Sequence, residues 1–292
     1  MHDLNPCGAA ARRGRIDALG DLTVFDLSPF ARGQGFGRSG YVERGFTSGA
    51  DFYRHLVADA GFDRGEHILD LGCGFGRWSI FLAEVNRTVT GIDPMGGRLA
   101  IARNLAAHLD LDNTTFAAGS GNELPFADDD FDAAWCYSTL HFLDRRRALA
   151  ELRRVLVPGG RLFVALYFAV GRMVALLCDS YTSGGWDDPD VALAITALEA
   201  GTTADGPPNM ATAAGLDATM AGHGFAVERR FDIDSGGKAA SLTEEERAIF
   251  ADLPALVARF RADSAFRDRL LADYPRLCRG LDYNLSFLAR AI

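Results

Sequence analysis

Gly72, Gly74 and Gly76 alternate through GCGFG, between the apolar run HILDL (His67–Leu71) and the helical pattern of Trp78–Val85. Glycines in a strand-to-helix turn permit positive φ and let a ligand come close to the backbone. In an open α/β sheet such a turn lies at the carboxyl end of a strand, where the binding crevice forms. A strand ending at Asp70 or Leu71 therefore predicts a small-molecule site along Asp70, Gly72, Cys73, Gly74 and Gly76. The dinucleotide fingerprint needs a glycine where this chain has Arg77, and there is no phosphate loop with its lysine, so a nicotinamide cofactor is disfavoured.

A second run, VTGID (Val89–Asp93), ends in an acid 17 positions after Gly76. A carboxylate at the tip of a second strand can accept two hydrogen bonds from a ribose diol. Bonds to a charged acceptor are the stronger kind. The other role open to Asp93 is to cap the helix that follows, helped by Pro94.

The elements that must position these residues follow from the pattern. Strands are expected at His67–Leu71, Val89–Asp93, Asn113–Ala118, Phe131–Ser138, Arg161–Phe168 and Ala226–Ile233, with the turn Pro158-Gly159-Gly160 before the fifth. Helices are expected from Gly49 to Gly61, capped by Asp51, and over Trp78–Val85, Met95–His108 and Arg146–Leu156. Strands alternating with helices imply crossovers and a mostly parallel sheet covered on both faces.

The stretches LDLGCGFGRWSIFLA, VTGIDPMGGRLAIA, NELPFADDDFDAAWCYSTLHFL and ELRRVLVPGGRLFVA follow one another in that order. Together they resemble successive motifs of the class I S-adenosylmethionine (SAM)-dependent methyltransferases, most closely the branch acting on small molecules. The resemblance covers about residues 65–168, with a weaker likeness through LDATMAGHGFAVERRF. It implies a Rossmann-like, doubly wound α/β fold, SAM as cofactor and S-adenosylhomocysteine (SAH) as product.

The same resemblance implies roles for single residues. Gly72, Cys73 and Gly74 would lie beside the amino-acid part of SAM. Asp93 would hold the ribose and Met95 would pack on adenine, with Pro94 between them in the same site. Gly121 and Asn122 would meet the adenine edge, and Cys136 and Tyr137 would flank the reactive methyl group. The family often carries an acid where this chain has Ser120, to bond the adenine amino group. The serine hydroxyl can accept that bond without charge assistance, and Asn122 is the substitute.

A sulfonium methyl donor needs an acceptor held in line, and a base only if the acceptor arrives protonated. His141 in TLHFL, just past the fourth strand, is placed to be that base, or else to pack beneath the cofactor. Tyr181 is the next candidate. Tyr167, Tyr181 and Trp186 lie near or within an insert after the fifth strand, a region that in this family commonly shapes the acceptor pocket. His55, on the apolar side of its helix, and His223, in a turn, read as structural, and Cys73 as a small filler.

Composition bounds the partners. The 292 residues carry a net charge of −9, which gives no electrostatic footprint for nucleic acid or an anionic membrane. Arg145, Arg146 and Arg147 read as the solvated face of a helix. Five scattered cysteines (Cys7, Cys73, Cys136, Cys178, Cys278) suggest neither zinc nor a disulfide framework, so no metal is expected. With no apolar leader or span, the expectation is a cytoplasmic protein. The domains expected are an N-terminal arm over 1–50, a SAM-binding domain over 51–235 with a helical lid insert at 169–213, and a C-terminal helical extension over 236–292 ending in a possible strand. Three functions stay open: methyl transfer to a small molecule, at oxygen or nitrogen first; methyl transfer to protein or RNA; and SAM binding without catalysis.

Overall fold

A computed structural model describes residues 6–31, 46, 48–166, 169–187, 189, 191–196, 213–231, 253–281 and 285–292. Tyr167, the loop 201–209 and residues 32–40 of the expected arm lie outside them. Seven strands form one sheet: β1 (His67–Leu71), β2 (Thr88–Asp93), β3 (Thr114–Ala118), β4 (Phe131–Tyr137), β5 (Leu156–Leu166), β6 (Phe225–Phe231) and β7 (Leu285–Ala291). Their spatial order is β3-β2-β1-β4-β5-β7-β6, and of these described strands β7 runs opposite to the other six. The order reverses between β1 and β4, so the crevice opens beyond the carboxyl ends of those two strands.

Both faces of the central strands are covered, which is why HILDL and FDAAWCY read as nearly continuous apolar runs. On one face Ile68, Trp135 and Phe163 pack with Phe62, Tyr53 and Phe81. Trp135 stacks on Phe163 with ring centroids 3.9 Å apart. On the other face Leu69, Leu71, Cys136 and Val164 pack on Leu149, Leu152 and Phe287. The helix Arg145–Val155 presents Ala148, Leu149 and Leu152 to that core and leaves Arg146 and Arg147 exposed, as its charge pattern indicates.

Three expectations need correction. The helix Ala50–Asp59 starts from Gly49, without a side-chain cap, and Asp51 sits in its first turn, where its charge favours the helix dipole. His55 is exposed; the buried side of that helix is formed by Tyr53, Leu56 and Val57. The fifth strand begins at Leu156 and carries Pro158-Gly159-Gly160 within it, because the β4–β5 register shifts between Phe131 and Ala133 and takes up the extra residues.

A third apolar cluster joins the insert to the C-terminal region. Met173, Val174, Leu177 and Cys178 of the helix Ala169–Thr182 pack on Leu256 and Phe260 of Leu253–Ala262 and on Phe266 and Leu270 of Ser264–Leu281. Phe142, just beyond β4, packs against the same cluster. This helical layer therefore abuts the carboxyl end of the sheet beside the crevice.

Candidate cofactor and active site

The glycine loop is held from below. The N–H groups of Gly72 and Cys73 both donate to the Ile92 carbonyl, at 2.8 and 3.1 Å, so the loop hangs on the end of β2. Gly72, Gly74 and Gly76 all have left-handed φ, at 74°, 54° and 80°. They serve different ends. A Cβ on Gly72 would stand 2.0 Å from Thr139 Oγ1, and one on Gly76 3.1 Å from Ala102 Cβ. A Cβ on Gly74 would meet no described atom within 4 Å. Gly74 thus borders open space, and the other two let the backbone pack. Gly72→Ala is expected to destabilise the fold by roughly 2–4 kcal/mol, from overpacking plus left-handed strain. Urea denaturation checks this, and an unchanged midpoint would count against the packing role.

Asp93 closes the other side. It is buried, and its two carboxylate oxygens accept separately, Oδ2 from Gly74 N at 3.1 Å and Oδ1 from Met95 N at 2.9 Å. Capping and ligand binding are therefore compatible, since each oxygen keeps lone-pair capacity for a diol. Burial pushes the Asp93 carboxyl above its ordinary range, against the opposing pull of Arg98 and the two backbone donors. Asp70, at the end of β1, accepts from Ser79 Oγ at 2.6 Å, and burial pushes its carboxyl up to about 7. Cys73 fills the space over Gly91, where a Cβ would come within 2.8 Å of its Sγ. Burial raises its thiol well above the ordinary value, so it is an inert filler.

The turn after β3 is built tightly beside Asp93. Gly119 N donates to the Asp93 carbonyl at 3.2 Å. Ser120 Oγ accepts from Asn122 N at 3.2 Å, and a Cβ on Gly121 would lie 2.6 Å from Leu143 Cδ1. Arg154 donates to Glu151, Asp128 and the carbonyls of Leu124 and Phe126, which clamps the chain beyond the turn to a helix. Among the described residues the Asn122 side-chain oxygen is buried with no hydrogen-bond partner.

At the end of β4, Tyr137 lies half-buried with its ring centroid 4.7 Å from that of Trp78. Cys136 points into the opposite core, where burial pushes its thiol up to about 12. Pro94 is exposed, and Met95 is half-buried at the start of its helix. His141 belongs to the 3₁₀ turn Leu140–Phe142 at the crevice, but its side chain lies outside the described residues. Tyr181 is placed in the helical layer, beside Phe260 and Trp186 and under the Arg267 guanidinium, 4.8 Å from its ring centre. Among the described contacts none joins Tyr181 to Asp93 or Gly74. His223 is structural, its Nδ1 lying 2.8 Å from the Thr219 carbonyl oxygen.

Two residues escape sequence reasoning. Ser138 has a left-handed φ of 55°, and its N–H donates to the Ala165 carbonyl at 2.9 Å. Ser286, on β7, is the register partner of Ala165. Among the described residues both hydroxyl oxygens are buried without a partner. No local signal marks them, because Ser138 is set by its bond to β5 and Ser286 by β7 joining β5 from far along the chain.

Residues 68–160, spanning β1 to the start of β5, match the family model of a methyltransferase domain. That match assigns a methyltransferase domain to this stretch of the chain. The methyltransferase GfsG of Streptomyces halstedii is 38% identical over 127 residues, 42% of this chain and 44% of that protein. The O-methyltransferase cnsE of Penicillium expansum is 39% identical over 105 residues, 35% of this chain and 38% of that protein. These matches span less than half of each relative's length. In fold, the 4+2 cyclase SpnF aligns over 94% of both chains at 22% identity and a TM-score of 0.51.

SAM is the cofactor of such a domain, and the residues present fit it. Among the described residues nothing crowds Gly74, and Asp93 keeps acceptor capacity for a diol. The family resemblance of the sequence and the Rossmann-like, mostly parallel sheet are both borne out. No described helix is long and apolar enough to cross a membrane.

Proposed function

We propose that this chain transfers a methyl group from SAM to an oxygen or nitrogen of a small-molecule acceptor, by in-line displacement. The observation that carries the reading is Asp93, a buried carboxylate that ties the glycine loop and still offers acceptor capacity at the switch point of the sheet. When bound, SAM supplies an electrophilic methyl group. The protein's work is then placement, which can contribute roughly 7–11 kcal/mol of the barrier. Gly72, Cys73, Gly74 and Tyr137 border the methionine part, while Asp93, Met95, Gly121 and Asn122 hold the nucleoside. Asp70 acts from inside, fixing Ser79 at the first turn of the helix that follows the loop. His141 takes the acceptor proton. Ser138 and Ser286, with unsatisfied hydroxyls on either side of Ala165, offer hydrogen bonds to a polar part of the acceptor. The helical layer of 169–182 and 253–281 serves as the lid.

A small acceptor suits the net charge of −9, which would repel RNA. Free thiols at Cys73, Cys136 and Cys178 suit a reducing cytoplasm. The fold does not by itself fix the reaction, since a cyclase shares it. Incubation with methyl-labelled SAM and fractionated metabolites of the source cell is the test. Label in a small product is the expected result. Label only in protein or RNA, or binding of SAM with no labelled product in any fraction, would overturn the reading.

A further inference from the structure

The space beside Gly72 is taken by one residue from another strand end. The three described atoms nearest to a Cβ built on Gly72 all belong to Thr139: Oγ1 at 2.0 Å, Cγ2 at 2.3 Å and Cβ at 2.6 Å. Thr139 thus stands where a side chain on the glycine loop would be. Its hydroxyl has one proton and two carbonyls within reach, Tyr137 at 3.2 Å and Gly72 at 3.5 Å. The loop is therefore held twice. The Ile92 carbonyl takes the N–H groups of Gly72 and Cys73, and Thr139 takes the carbonyl of Gly72.

Thr139 is bound as firmly to the next element. It directly precedes the turn Leu140–Phe142, and its carbonyl accepts from Phe142 N at 2.9 Å. Ser138 adopts a left-handed backbone that residues other than glycine seldom take, and its N–H is fixed on the Ala165 carbonyl. The chain so turns back after β4 and brings Thr139 over the end of β1, the neighbour of β4 in the sheet. A β-branched residue suits this joint, because its χ1 is stiff and both branches press on Gly72. Phe142, at the far end of the turn, packs on the helical layer. One series of contacts runs from the glycine loop through Thr139 to the turn of His141 and on to those helices.

We propose that Thr139 is a positioning residue for methyl transfer: it ties the turn that carries His141 to the Gly72 carbonyl, so that seating the cofactor on the glycine loop also sets the height of the base. The assignment rests on the reading of His141 as base given above. The bond to Tyr137 is the shorter of the two, so the bond to Gly72 is the joint that tightens when the loop closes on its ligand. A displacement of roughly 1 Å at a catalytic group can cost about 100-fold in rate.

NMR of protein labelled in its histidine rings tests this, the His141 signal being the one lost in His141→Ala. Saturating SAH is expected to shift that signal in the native chain and in Thr139→Ser. In Thr139→Val, which keeps the shape but loses the proton, the shift should be less than about half as large. An equal shift in the native chain and Thr139→Val, or no shift in the native chain, overturns the proposal. Thermal melting establishes that Thr139→Val folds; if it does not, Thr139→Ala takes its place with the same expectation. With labelled SAM and the metabolite fraction that the native chain methylates, Thr139→Val should lose about 10- to 100-fold in kcat, and Thr139→Ser should keep most of the native rate. In the His141→Ala background the same change should cost less than about twofold, because Thr139 acts through His141. A full further loss there overturns the proposal and leaves His141 as the base. Near-native turnover in His141→Ala alone overturns the reading of the base, and this assignment with it.

Discussion

Asp93→Ala is expected to bind SAH about 30- to 1000-fold more weakly than the native chain, a loss of roughly 2–4 kcal/mol for two charge-assisted hydrogen bonds. The variant also frees the N–H groups of Gly74 and Met95, which now donate to the two carboxylate oxygens. Asp93→Asn separates these effects: it keeps an acceptor for one backbone donor but removes the charge, and should fall between the native chain and the alanine variant. Unchanged affinity in Asp93→Ala, measured by calorimetry, would rule out the ribose contact.

The same carboxylate sets a pH dependence. Burial raises the Asp93 carboxyl above its ordinary range in the free protein, so it protonates more readily than an exposed aspartate. Ligand binding through this group needs the anion. SAH affinity should then be full well above the raised value and fall as pH drops through it, beginning above the ordinary aspartate range near ~4. In the free protein the sign is opposite. A carboxyl raised on folding stabilises the fold at low pH, and that contribution is lost as pH rises through the raised value. Asp70, pushed up to about 7, adds to this between the ordinary range and neutrality. Bound SAH should therefore increase thermal stability more at pH 8 than at pH 5.

His141→Ala is expected to lower turnover by about 10²- to 10⁴-fold, the range for a lost general base, while leaving SAH affinity nearly unchanged. The 3₁₀ turn Leu140–Phe142 fixes the backbone of His141 at the carboxyl end of β4, and Phe142 is anchored in the helical layer. The native rate should fall at acid pH as the imidazole protonates, and the variant should lack that limb. A variant with near-native turnover across pH 5–9 would leave catalysis to placement alone, or to Tyr181.

The parts of the site that were legible in the sequence are those fixed by short-range rules. HILDLGCGFG declares its strand, its turn and its ligand space because each depends on neighbours a few residues away. β1 is found at its expected limits, and Asp93 at the tip of β2. The start of β5 was not legible, because Gly159 at φ 78° forms an irregularity within the strand, while the same residues in isolation read as a turn. Gly49 displaces Asp51 as helix cap through backbone geometry that the sequence does not encode by side-chain type. Ser138, Ser286 and the bare oxygen of Asn122 stand out only through burial without partners, a property of the assembled molecule.

The placement of β7 has a consequence for the order in which the chain folds. β1 to β5 pair in parallel in the order β3-β2-β1-β4-β5, so each finds its partner among strands within about 65 residues of it. β6 has no such neighbour: it meets the sheet only through β7, whose residues Leu285–Ala291 must first close a loop of more than a hundred residues to pair Arg290 with Arg161. Closing so long a loop before any contact rewards it is slow. The crevice between β1 and β4 is thus expected to form early, with the far edge of the sheet and the environment of Ser286 arriving in a later kinetic phase. A nascent chain would then have its nucleoside site before its acceptor site, and SAH present during refolding would speed capture of the first without hastening the second.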